Sequence, residues 1–219
     1  MEENNGRYQG KRLLNNDKPE KKRPGRRADR SGTEEAPGGF WKNYGYLIIT
    51  AAVVLLVFRV LLQLAYVPSS SMESTIPRES LLISWQLPYL VSDPEPERGD
   101  VVTFWNEEEN KLLVKRVIGL PGEEITFAKG VVCVNGTELD EPYLDRQGVT
   151  NAQDRTSYQV PAGEMFLLGD NRTGSKDSRF WNDPFIPESN VRARVMVCIP
   201  LIRWHGIPLP LFGQIHLVG

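Results

Sequence analysis

The stretch KLLVKRVIGLPGEEITFAKGVVCVNGTEL (residues 111–139) is rich in β-branched and aliphatic residues and is broken by Pro121-Gly122 and Asn135-Gly136. KLLVKRVIGL predicts a strand that stops at the Pro-Gly pair, because proline has no N–H to donate to a ladder. EITFAKGVVCVNGTEL predicts a hairpin, with Asn135-Gly136 supplying the positive φ angles of a type I′ turn. Working outward, RGDVVTFW (98–105), EMFLLG (164–169) and VRARVMVCI (191–199) carry the same signals. No long amphipathic helix and no internal repeat interrupts them. Residues 67–219 therefore read as a mainly β domain, an antiparallel sheet with long loops.

Upstream lies YGYLIITAAVVLLVFRVLLQLAYV (44–67). Its apolar residues surround the helix instead of forming a stripe, and about 20 such residues span a bilayer core. Residues 44–66 are expected to be one transmembrane anchor, with Trp41, Tyr44 and Tyr46 at the interface. Arg59 belongs near the outer headgroups, since a mid-bilayer arginine costs roughly 2.5–3.5 kcal/mol. QLAYV then continues as an extended segment at the membrane surface. A cleaved signal peptide would need a shorter leader and a small-residue cleavage site.

Residues 1–43 are polar, include the basic run KKRPGRR (21–27), and read as a disordered tail. Up to Tyr44 there are 11 Lys/Arg against 7 Asp/Glu, and from Gly45 onward 15 against 21. This asymmetry predicts a cytoplasmic N-terminus held to anionic lipid and an extracytoplasmic domain. The membrane is expected to be the plasma membrane. No nucleic-acid-binding motif accompanies the basic run, so the expected partner is the lipid bilayer and not nucleic acid.

Cys133 and Cys198 read as small buried strand residues, and the sequence leaves open whether they bond. No Cys/His cluster has metal-ligand spacing, so no metal is expected. The two histidines, His205 and His216, lie in the tail WHGIPLPLFGQIHLVG without a nearby carboxylate and read as surface or capping residues. If a serine of Ser69-Ser70-Ser71 reacts, its base is therefore not a triad histidine. Lysine can serve once burial disfavours its ammonium form. Lys115, in LLVKRVIGL, is the lysine with apolar flanks on this scale. A third segment, LLGDNRTGSKDSRFW (167–181), concentrates hydroxyl, carboxylate and guanidinium groups just after a strand.

Together these segments resemble the type I signal peptidase family. VPSSSM resembles its nucleophile box P-S-x-S-M, and RGDVVTF its following strand box. KRVIGLPGE resembles its lysine box, and GDNRTGSKDSRFW its G-D-N-R…S-x-D-S-R box. The order of the boxes and the preceding anchor also fit. The resemblance implies that Ser71 is the nucleophile and Lys115 the general base. It implies that Ser69 donates to the oxyanion hole and that Ser175 hydrogen-bonds and orients Lys115. Met72, Arg116, Asp170, Asp177 and Arg179 become structural neighbours of the site, and Ser70 has no reacting role. The substrates implied are signal peptides of exported preproteins, and no cofactor is needed. Two departures stand out. The family's S-M-x-P-T reads Ser71-Met72-Glu73-Ser74-Thr75 here, without the proline that would restrict φ. Glu123 replaces an aspartate after Pro-Gly.

Two other readings compete. A self-cleaving serine–lysine protease of the repressor type would share the core fold, but it needs no anchor. A catalytically dead, membrane-tethered protein that holds signal peptides draws its support from the missing proline alone.

Overall fold

A computed structural model of the protein describes residues 38–91, 95–144 and 150–218. The chain divides into two units, Met1–Gly45 and Tyr46–Gly219. The basic run and the rest of the expected tail up to residue 37 lie outside the described residues. The elements in chain order are α1 (Gly38–Leu61), β1 (Leu62–Val67), β2 (Ser80–Trp85), α2 (Leu87–Val91), β3 (Val101–Asn106), β4 (Lys111–Gly119), β5 (Glu124–Ala128) and β6 (Val131–Val134). They continue with β7 (Thr137–Glu138), β8 (Ser157–Gln159), β9 (Glu164–Leu168), β10 (Phe185–Pro187), β11 (Val191–Trp204), β12 (Ile207–Pro210) and β13 (His216–Leu217). Short 3-10 turns, Glu188–Asn190 and Phe212–Gln214, precede β11 and β13.

Within α1, Phe40–Leu61 is long and apolar enough to cross a membrane, about 33 Å at 1.5 Å per residue. Leu47, Ile49, Leu55, Leu56 and Phe58 are all exposed along it. The helix starts six residues before Tyr44 and ends at Leu61, so the last residues of the expected 44–66 segment are not helical. Leu62–Val67 instead pair antiparallel with β2, from Leu62 opposite Trp85 to Val67 opposite Ser80. The chain passes from helix to strand without a linker. Gln86 closes the junction: its Nε2 donates to Arg59 O at 2.6 Å and Val60 O at 3.1 Å, and its backbone N to Leu61 O at 3.0 Å. Carbonyls that a helix end leaves without partners are thereby satisfied.

The strands form two antiparallel sheets. The larger has the order β1-β2-β11-β3-β4-β9-β10, with β12 and β13 also paired to β11. The smaller has the order β7-β6-β5-β8. Its β6–β7 turn is the predicted one, with Asn135 at φ 50° and Gly136 at φ 80°. Strands β2, β8, β10, β12 and β13 were not marked by alternation; several are too short to show a period.

Three apolar clusters support these sheets. Met72, Ile76, Val67, Leu82, Val195 and Val218 form one beneath the segment after β1. Val102, Phe104, Val117, Leu167 and Trp181 form a second. The third joins the sheets: Ile125, Phe127, Val132 and Tyr158 of the smaller pack on Ile118, Phe166 and Leu168 of the larger. Gly119 allows that approach, since a Cβ there would come within 2.8 Å of Ile125 and 2.9 Å of Phe166. Cys133, on β6, and Cys198, buried on β11, are both free thiols.

Candidate active site

Three segments far apart in sequence converge on Ser71. The first is the turn that follows β1. Glu73 N donates to Ser70 O at 3.1 Å, Thr75 N to Met72 O at 2.9 Å and Ile76 N to the same carbonyl at 2.5 Å. Met72 and Ile76, fully buried, anchor this turn in the first cluster. Ser71 is thus presented at the top of a tightly wound, apolar-rooted loop.

The second segment is β4. Lys115 is only 3% exposed, yet its Nζ reaches Ser71 Oγ at 2.7 Å and Val114 O at 3.1 Å. Burial pulls its pKa down from the usual 10.5 to about 8, and the more distant Asp177 and Asp170 only partly oppose this. Both carboxylates are committed elsewhere. Asp170 takes a two-pronged contact from Arg116, Nε to Oδ1 at 2.9 Å and Nη2 to Oδ2 at 2.7 Å. Asp177 takes the same from Arg179, at 2.8 Å for each prong.

The third segment is the loop after β9. Asn171 N donates to Ser71 O at 3.1 Å and Asn171 Nδ2 to Ser70 O at 3.0 Å, stitching the loop to the serine turn. Asp170 N lies 3.4 Å from Met72 Sδ. Asp177 Oδ2 accepts from Gly169 N at 3.1 Å, and Arg179 Nη2 donates to Arg172 O at 2.8 Å. A Cβ on Gly169 would sit 2.1 Å from Ser175 Oγ and 2.5 Å from Ser71 O, so only glycine permits this approach.

Ser69, Ser71, Met72, Lys115, Arg116, Asp170, Ser175, Asp177 and Arg179 are thus gathered in one place, with one expected contact missing. Ser175 is buried beside Gly169, but its Oγ has no hydrogen-bond partner among the described residues, so the bond to Lys115 is not formed. The Lys115 amine is turned to Ser71 Oγ and Val114 O instead. Ser69 Oγ is exposed and lies 3.5 Å from Ser71 Oγ. Among the described residues, no three His, Cys, Asp or Glu side chains gather to hold a metal ion.

Sequence reasoning missed several partners. Thr75 Oγ1 donates to Asp170 Oδ2 at 2.5 Å, and Arg116 Nη2 reaches the same hydroxyl at 3.2 Å. Tyr143 stacks its ring 3.8 Å below the Arg116 guanidinium. Arg172, quoted only as part of a motif, is salt-bridged to Glu141 and donates to Thr150 Oγ1 at 2.7 Å. His216, expected as a surface or capping residue, is part-buried and has its Nε2 2.8 Å from the backbone carbonyl of Thr75. Nothing local in the sequence joins positions 141 residues apart.

A buried amine in contact with a serine hydroxyl, on an antiparallel β scaffold, is an arrangement suited to acyl transfer. The family profile described as signal peptidase, peptidase S26, matches residues 41–200. A probable signal peptidase I-2 of Synechocystis sp. is 35% identical over 171 residues, covering 75% of each chain. The signal peptidase I of Bacillus amyloliquefaciens is 34% identical over 148 residues, 64% of this chain and 75% of that one. A crystal structure of a signal peptidase I from Enterococcus faecalis is 29% identical, covers 46% of this chain and 97% of that chain, and has a TM-score of 0.38. The chain belongs to the signal peptidase family, peptidase S26, and is a peptidase.

Proposed function

We propose that this protein is a membrane-anchored serine endopeptidase that removes signal peptides from exported preproteins, with Ser71 as nucleophile and Lys115 as general base. The observation that carries this reading is the 2.7 Å contact between Lys115 Nζ and Ser71 Oγ, made by an amine whose pKa burial has lowered to about 8. A neutral amine at that distance accepts the Ser71 proton as Oγ attacks the scissile carbonyl. The Ser69 hydroxyl and the Ser71 N–H hold the developing oxyanion, where one donor is typically worth about 2.7–4 kcal/mol. Lys115 then passes its proton to the departing amine, leaving an ester on Ser71. Neutral again, it takes a proton from water, whose oxygen attacks the ester. The resulting ammonium returns its proton to Ser71 Oγ as the acid product leaves. Asp177 and Arg179 shape the loop that carries Ser175, and Arg116 and Asp170 fasten that loop to the serine turn.

The anchor is residues 44–66 in outline, taken as helical to Leu61, with residues 1–43 cytoplasmic and residues 67–219 extracytoplasmic. The apolar length of α1 supports the span, and the charge asymmetry supports the orientation. Tethering confines the site to the plane where signal peptides arrive and raises their effective concentration.

The test is cleavage of a preprotein by the detergent-solubilised protein, compared with Ser71→Ala and Lys115→Met. The wild type is expected to cut after a small residue, and both variants are expected to be inactive. Near-wild-type cleavage by either variant would remove that residue from its role. Binding without cleavage by the wild type would favour the tethered binding protein instead.

A further inference from the structure

His216 stands outside the reacting groups, yet it reaches the turn that presents Ser71. Its Nε2 lies 2.8 Å from Thr75 O, and its Nδ1 lies 3.1 Å from Gln214 O. Carbonyl oxygens only accept, so each contact is a hydrogen bond only when its ring nitrogen carries the proton. A neutral ring donates one of the two, and the tautomer with N–H on Nε2 makes the shorter bond, to Thr75 O. The ring is part-buried and is fixed from behind, because β13 pairs with β11, with His216 opposite Cys198. Its second neighbour, Val218, is buried in the same cluster as Met72 and Ile76, and Val218 N donates to Met196 O at 2.9 Å. The C-terminal segment therefore meets the serine turn twice, once by a hydrogen bond and once by apolar packing.

Thr75 joins two supports. Its side chain is bound to Asp170 and Arg116, while its carbonyl is bound to His216. Residue 74 is serine, and nothing there restricts φ as a proline ring would. The far end of the turn is instead held from outside.

We propose that His216 is a positioning residue for Ser71: by donating Nε2–H to Thr75 O, it fixes the turn that sets Ser71 Oγ against Lys115 Nζ. The inference rests on the proposed role of Ser71 as nucleophile. A rigid turn keeps the oxygen in attack geometry, and small displacements of a reacting group are costly in rate.

The experiment measures kcat and KM for preprotein cleavage by the full chain in detergent, together with thermal unfolding. The variants are His216→Leu, His216→Gln and His216→Asn, with Ser71→Ala as the control. A glutamine amide nitrogen ends near the place of Nε2, whereas that of asparagine ends near Nδ1. His216→Leu and His216→Asn are expected to lose kcat on the order of tenfold with KM within about twofold, and His216→Gln to recover most of it. If leucine does not fold, the comparison of glutamine with asparagine carries the test. Equal kcat for those two, or wild-type kcat in the leucine variant, would overturn the proposal. So would a loss in KM alone. An active Ser71→Ala would instead defeat the nucleophile assignment, whatever the His216 variants do.

Discussion

Lys115 and Arg116 are neighbours on β4, equally buried at 3% exposure, and the protein treats them in opposite ways. On the Arg116 side the charge is fully answered. Asp170 grips it in two places, Gly99 O accepts from Nη1 at 2.6 Å, and the Tyr143 ring lies beneath. On the Lys115 side there is a serine hydroxyl and one carbonyl, and the nearby carboxylates are occupied by arginines. A buried cation paired with a carboxylate is a fastener, whereas a buried lysine without one loses its proton readily. Strand alternation turns consecutive side chains to opposite faces, so one strand can hold both environments.

The sharpest way to break this contrast is to make the two residues alike. Lys115→Arg should reduce turnover by at least about a thousandfold, because guanidinium does not act as a base in proteins. Single-turnover cleavage of a preprotein measures this, and residual activity near wild type would refute the contrast. Removing the answered charge should act on folding. Arg116→Met strands Asp170 in a buried site and should cost about 3–5 kcal/mol, read by denaturant unfolding.

Removing the unanswered charge should do the reverse. The folded-state pKa of Lys115, about 8, lies below the roughly 10.4 of an unfolded lysine. Between those values the unfolded chain holds more protons, so stability rises with pH across that window. Below about 8 both states are protonated and the burial penalty is fully present. Lys115→Met should therefore stabilise the fold by about 3 kcal/mol at pH 7, with the gain shrinking as pH climbs from about 8 to 10.5. The same titration should appear in catalysis as a kcat/KM that rises with pH and levels off above about 8. A pH-independent difference between wild type and Lys115→Met would contradict it.

The smallest effect concerns Ser175. Its buried hydroxyl lacks a partner among the described residues, so Ser175→Ala should gain about 1 kcal/mol of stability. If Ser175 nevertheless turns toward Lys115 during the reaction, the same variant should lose kcat while its melting temperature rises. Unchanged kcat would leave Ser175 with packing alone.

The sequence announced some of this more clearly than the rest. β3 and β4, with their β-branched runs, and the Asn135-Gly136 turn were legible because each signal is local. The convergence of Ser71, Lys115 and the loop after β9 could be read only through the family boxes. No spacing in the chain measures the 2.7 Å between residues 71 and 115. The contacts of Thr75, Tyr143 and His216 left no trace, because they come from what the fold places beside each residue. The end of α1 was approximate for the same reason. Leu62–Val67 are as apolar as a helix continuation, and it is β2 that makes them a strand.

The junction without a linker between α1 and β1 works as a ruler. Ser71 is nine residues beyond Leu62, and a fully extended chain of that length reaches no more than about 30 Å. If α1 sits in the bilayer as proposed, Gln86 and the β1–β2 register remove the slack that a flexible tether would allow. Such an enzyme would select by altitude as well as by side chain. A bond presented too far above the membrane is out of range, however well its residues suit the site.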